Sequence, residues 1–319
     1  MEEHWSQIKE TAEPAWKLRF MLWATVHLPR KCVECITAVV VFFFYLGAAP
    51  VRRRSRHYLQ HVFAIKNQKV PAFAVYKHIL AFALSMIEKI RGWAGKMNLS
   101  ELETQNDNLQ ELVEKLNAGN GAFILCSHLG NIEATRSLTS YQKEHTIRKF
   151  QVFPVIDFLG TKNFNAILQK LNPELLQNSF NANEIGVETA IQMREKIETG
   201  NLVAIAGDRT SAHFQNRMIP LKFLGETAEF PEGAFTLAGI LKAPIYFIFA
   251  FRKKDLDITS PYEFHVIRSQ VEWNGKRSEQ KQKTAELANE FVSYLEKFCL
   301  KHPYQWYNFY DFWQKGESS

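Results

Sequence analysis

The chain has 319 residues, enough for one large α/β domain or two small ones around a substantial core. Its 39 Lys and Arg against 33 Asp and Glu leave a formal charge of +6. That excess is too mild to specify nucleic acid, and no nucleic-acid-binding signature accompanies it. An anionic membrane surface or an acidic partner protein fits it better. Four cysteines in a chain this long do not make a disulfide scaffold and point to a reducing compartment.

Residues 1–95 read as helical, with joints at Pro14, Pro29, Pro50 and Pro71. No short apolar core of a cleavable signal peptide stands in the first thirty residues. Cys32 and Cys35 lie on one helical face without a second pair at zinc-ribbon spacing, so no metal is expected there. The apolar run Cys35–Ala49 has fifteen uncharged residues, short of the ~20 that a spanning helix needs. Arg30 and Lys31 precede it; Arg52, Arg53, Arg54 and Arg56 follow. The pattern predicts an interfacial or shallowly inserted helix, with a buried core helix as the alternative.

From about residue 120 short apolar runs alternate with amphipathic stretches, the mark of a mainly parallel sheet flanked by helices. The expected strands are Ala122–Cys126, Gln151–Val155, Leu202–Ala206 and Ile245–Phe251. Helices are expected at Asn131–Tyr141, Asn163–Leu171, Gly186–Glu198 and Lys276–Lys301. The predicted organisation is therefore a helical, membrane-associating region over 1–95 and an α/β domain over 96–319.

Nucleotide-binding glycine patterns, H-E-x-x-H and G-x-S-x-G are all missing. What remains is Cys126-Ser127-His128-Leu129-Gly130-Asn131-Ile132-Glu133, placed directly after a buried strand. Sites in parallel sheets form beyond the carboxyl ends of strands. A His there can take a proton from a hydroxyl as it attacks a thioester. A carboxylate on its other ring nitrogen would fix the useful tautomer, and Glu133 can fold back to do so. Asn131 is a suitable N-cap for the helix that follows. Of the ten histidines, His128 alone has an acidic residue five positions on. One such match is what chance would give, so the spacing alone decides nothing.

Ser127–Leu138 (SHLGNIEATRSL) resembles the first motif of the lysophospholipid-acyltransferase superfamily, in which four positions separate His from an acidic residue. Its His-Leu-Gly-Asn-x-Glu form resembles the branch containing the late (lauroyl/myristoyl) acyltransferases of lipid A synthesis. Gly207-Asp208-Arg209-Thr210, Pro220–Phe251 and the aromatic Tyr304–Trp313 resemble later motifs of that branch, in family order. The resemblance implies an acyltransferase with His128 as general base and Glu133 as its orienting partner. Asn131, Arg136, Asn165, Asp208, Arg209, Glu232 and Gly233 would contact substrate, Arg209 stabilising an oxyanion or binding phosphate.

No cofactor or metal is implied. The expected acyl donor is acyl carrier protein or acyl-CoA, the acidic carrier protein suiting a basic chain. The expected acceptor is a hydroxyl of a membrane (glyco)lipid, at the cytoplasmic face of the bacterial inner membrane. Val152–Asn165 lacks the Arg that often marks the second motif of the lipid A enzymes. That leaves another glycolipid, an aminolipid or a polyene lipid open as acceptor. N-acylation, a thioesterase and a non-catalytic lipid-binding protein are the alternative activities.

Overall fold

The computed structural model describes residues 23–25, 27–93, 101–105, 108–131, 148–158, 177–209, 217–273, 277–310 and 312–313. Nine strands in chain order are β1 (Leu102–Thr104), β2 (Ala122–Cys126), β3 (Val152–Ile156), β4 (Phe180–Asn181), β5 (Leu202–Ala206), β6 (Met218–Phe223), β7 (Glu226–Pro231), β8 (Ile245–Arg252) and β9 (Tyr262–Arg268). A seven-stranded sheet runs β1-β9-β8-β2-β5-β3-β4, and β6-β7 form a separate pair. Within the large sheet every pairing is parallel except β8 with β9. The expected mainly parallel sheet is therefore present, with β2 and β5 at the expected residues.

The central strands are apolar on both faces because both are covered. Phe123 and Leu125 of β2 and Phe247, Phe249 and Phe251 of β8 point into one cluster, while Ile124, Cys126, Tyr246 and Ile248 point into another. The second cluster is closed by α4 (Leu109–Asn117), whose Leu109, Leu112, Val113 and Leu116 recur at helical spacing.

The first cluster is covered by α2 (Ala49–Ile65), α3 (Ala74–Trp93), α5 (Val187–Glu198), α6 (Gly233–Leu241) and α7 (Gln280–Lys301). Tyr58, Leu59 and Val62 of α2 and Leu80 and Leu84 of α3 share it with Phe235 and Phe291, so the cluster crosses the division expected at residue 95. A buried ion pair fastens α3 to the sheet: Glu88 takes a hydrogen bond from Arg252 Nη1, while Arg252 Nη2 donates to Ala81 O at 3.1 Å. Removing one partner strands the other charge out of water. Glu88→Ala should lower stability by about 3–5 kcal/mol, read as a lower denaturant midpoint with an unchanged slope.

The helix α1 (Arg30–Gly47) buries only Val33 and Val41 among its aliphatic side chains and leaves Val39, Val40, Phe42, Phe43, Phe44 and Leu46 exposed. Among the described residues no single helix is long and apolar enough to cross a membrane; α1 and α2 pass that test only as a pair bent by 99°. Pro50 stands at the start of α2, where its missing N–H costs nothing.

Candidate active site

Strands β2 and β5 lie side by side in parallel register, Cys126 opposite Ala206, so their carboxyl ends release two loops next to each other. The Gly207 N–H donates to Cys126 O at 2.9 Å and joins the loops at their root. Past β2 the chain turns at Gly130, where φ is +70°. A Cβ at that position would lie 2.1 Å from Ala250 O, so only glycine fits. The turn is pinned by Gly130 N–H to Gln305 O at 2.7 Å and Asn131 N–H to Ala250 O at 2.8 Å. Ser127 is buried, its Oγ accepting from Leu129 N–H at 3.2 Å. It shapes the turn rather than offering a nucleophile.

This rigid loop aims His128 at the loop after β5. Its Nδ1 lies 2.8 Å from Asp208 Oδ1, and its own backbone N–H donates to Asp208 Oδ2 at 2.9 Å. Trp306 Nε1–H donates to the same Oδ2 at 2.8 Å, with Asn308 Nδ2 at 3.4 Å. Asp208 is fully buried, whereas the His128 side chain keeps 26% of its surface exposed. Burial alone would raise the Asp208 carboxyl; His128 and Trp306 outweigh it and hold the group below the ordinary carboxylate value. An ionised carboxylate accepts only, so Nδ1 carries the ring proton and Nε2 keeps its lone pair.

Desolvation, then the positive charge of Arg209, lowers the His128 pKa against the opposing pull of Asp208. The ring is therefore neutral at neutral pH, the form a general base requires. The acid limb of kcat/KM should fall below the ordinary His value, with activity rising as pH increases through it. Arg209→Gln removes a lowering influence and should move that limb to higher pH, measured as full pH profiles of both proteins.

Arg209 itself is engaged by the C-terminal segment. Its Nε and Nη2 donate to Asn308 Oδ1 at 3.0 and 2.7 Å, and Nη2 also donates to Tyr307 O at 2.7 Å. Tyr307 N–H donates to His128 O at 3.1 Å, and Trp306 bridges Leu129. The N-terminal helices buttress this segment in turn. Buried His78 of α3 is pushed down to about 4 by burial, so it is neutral. It can then accept from Ser55 Oγ at 2.9 Å and donate from Nε2 to Trp306 O at 2.8 Å.

The structure thus brings together His128, Asp208 and Arg209. Glu133, Arg136 and Asn165 lie outside the described residues, as do most of the helices expected at Asn131–Tyr141 and Asn163–Leu171. The carboxylate on the His128 ring is Asp208, which sequence reasoning assigns to substrate. Asn131 is nearly fully buried, its amide 3.4 Å from the Tyr262 hydroxyl. Glu232 caps α6 through its backbone without a side-chain cap bond, and Gly233 opens the helix with open space, among the described residues, where a side chain would start. Sequence reasoning misses Trp306, Asn308 and His78. The aromatic run Tyr304–Trp313 was the available signal for the first two, and His78 had none.

A His–carboxylate pair at the strand ends of a mainly parallel sheet has the geometry to withdraw a proton from an attacking nucleophile. The family model described as bacterial lipid A biosynthesis acyltransferase matches residues 6–315, and the chain belongs to that family. It is accordingly an acyltransferase that uses an acyl donor and a lipid acceptor, as the motif resemblance implies. No individual curated protein matches the chain.

Proposed function

We propose that the protein transfers a fatty acyl chain from acyl carrier protein or acyl-CoA to a hydroxyl of a membrane (glyco)lipid. The observation that carries this reading is the His128 ring, held on Nδ1 by buried Asp208, in a chain of this family. Nε2 removes the acceptor hydroxyl proton as the oxygen attacks the thioester carbonyl. The C–S bond then breaks, and the imidazolium returns its proton to the departing thiolate. No acyl-enzyme is formed, which suits the buried Ser127.

Asp208 orients the ring, since a fully buried carboxylate with both oxygens engaged is out of reach of substrate. The motif resemblance carries Glu133 as a partner of the His128 base and Arg136, Asn165, Glu232 and Gly233 as substrate contacts. Arg209 contributes positive charge beside the base. Acyl carrier protein is favoured as donor by the +6 charge of the chain.

The protein is assigned to the cytoplasmic face of the inner membrane, and the exposed apolar side of α1 supports this. The basic run after α1 supports it less uniformly than its charge suggests. Arg52 donates to the Tyr45 and Leu46 carbonyls at the end of α1, and Arg54 to Phe309 O at 3.3 Å. Mass spectrometry of total lipids with and without the gene tests the function. Loss of one ester-linked acyl chain from a membrane lipid is expected. An unchanged lipid profile in cells that normally make the protein would overturn the reading, and loss of an amide-linked chain would shift it to N-acylation.

A further inference from the structure

Residues 70–75, at the start of α3, form with Tyr45 of α1 and Arg56 and Gln60 of α2 a cleft of about 280 Å³ that lies on elements other than the His128 and Asp208 loops. That is the low end of small-ligand pockets, the size of a headgroup rather than of an acyl chain. Its walls include Tyr45, Val70, Pro71 and Phe73, and its polar members are Arg56 and Gln60. Arg56 and Gln60 are one turn apart on the exposed side of α2, opposite buried Tyr58, Leu59 and Val62. Arg52 and Arg54 are drawn back onto backbone carbonyls, whereas among the described residues Arg56 has neither a hydrogen-bond nor an ion-pair partner.

Phe73, on the rim, has a backbone φ of +60°, a conformation that a bulky side chain adopts only under constraint, and its ring is 76% exposed. The fold thus holds an aromatic ring out in solvent beside a cation. The neighbouring arm α1 adds a strip of exposed side chains in which Phe43 reaches 67%. A water-soluble anion would match Arg56 and leave this apolar surface uncovered; an amphiphile matches both.

We propose that the cleft is a headgroup site for an anionic phospholipid, distinct from the acyl acceptor. Arg56 and Gln60 take the phosphodiester, Phe73 packs beside the glycerol, and the acyl chains lie along the exposed face of α1. The inference rests on the membrane reading above. It makes the bend of 99° functional: one arm lies among acyl chains and the other along the headgroups.

The test is flotation of the purified full-length protein with vesicles of phosphatidylglycerol or of phosphatidylcholine, at fixed ionic strength. Arg56→Gln should weaken binding to phosphatidylglycerol roughly fivefold and leave phosphatidylcholine binding unchanged. The charge-matched Arg53→Gln, one turn away, should lose clearly less. Equal losses in the two variants would reduce the effect to diffuse surface charge and overturn the site. Thermal shift with inorganic phosphate alone forms a second arm. Stabilisation by phosphate equal to that by short-chain phosphatidylglycerol, each lost in Arg56→Gln, would make this a free-anion site and overturn the lipid assignment. Phe43→Asp separates the underlying reading, because it should release the protein from both vesicles. If Phe43→Asp releases the protein but Arg56→Gln binds like wild type, the headgroup site fails and the membrane reading stands. If the wild-type protein binds neither vesicle, both fail.

Discussion

His128→Ala should lower the rate of acyl transfer by about 10² to 10⁴ while leaving the protein folded. The loss follows from deleting the partly exposed ring that joins buried Asp208 to the space beyond β2. The fold should persist because the loop is held through backbone atoms that alanine retains. His128 N–H still reaches Asp208, Tyr307 N–H still reaches His128 O, and Gly130 N–H still reaches Gln305 O. Asp208 also keeps the Trp306 indole. Single-turnover rates of the folded variant, checked by thermal melting against wild type, decide the matter. A rate within threefold of wild type would remove His128 from the reaction.

The strands that carry this site were legible because burial on both faces writes a continuous apolar run, as in Ala122–Cys126 and Leu202–Ala206. The hairpin β6-β7 was less visible. Its turn is Leu224-Gly225 with both φ positive, so Leu occupies a place where Asn or Asp would have announced the turn. Glu296 of α7 accepts from the Leu224 N–H and holds that conformation from outside the hairpin. The strand β9, between β1 and β8, alternates polar and apolar residues over too short a run to stand out.

At the site, the sequence pointed to His128 and to Gly207-Asp208-Arg209, both of which stand at strand ends. It could not say which carboxylate meets the ring. The His128–Glu133 spacing is local and therefore readable, whereas His128 and Asp208 meet only because β2 and β5 are register neighbours. The same holds for α2 and α3. Their apolar periodicity fits a membrane as well as a core, and what assigns them to the core is the packing of Tyr58 and His78 against Trp306.

Asp208→Asn should be nearly as damaging as loss of the histidine, by about 10² to 10⁴ in kcat, and the reason lies in the direction of two hydrogen bonds. Asp208 Oδ2 accepts from both the His128 N–H and the Trp306 indole. An asparagine must keep its carbonyl oxygen there, because an amide NH₂ facing those donors would leave three hydrogen-bond donors buried together. Its NH₂ group then faces His128 Nδ1, where Asp208 Oδ1 stood at 2.8 Å. Nδ1 is forced to accept, the ring proton moves to Nε2, and the nitrogen exposed to substrate can no longer act as a base. In serine proteases the same wrong-tautomer substitution costs about 10⁴. Raising the pH cannot rescue this variant, since the ring is neutral but protonated on the wrong nitrogen. Arg209→Gln, by contrast, should regain rate at higher pH, because it raises the ring's pKa without reversing the tautomer. Rates of both variants across the pH range, with melting curves to show that Asp208→Asn remains folded, separate the two effects. If Asp208→Asn keeps more than about a tenth of wild-type kcat, the ring is oriented by another carboxylate, and Glu133 becomes the residue to substitute next.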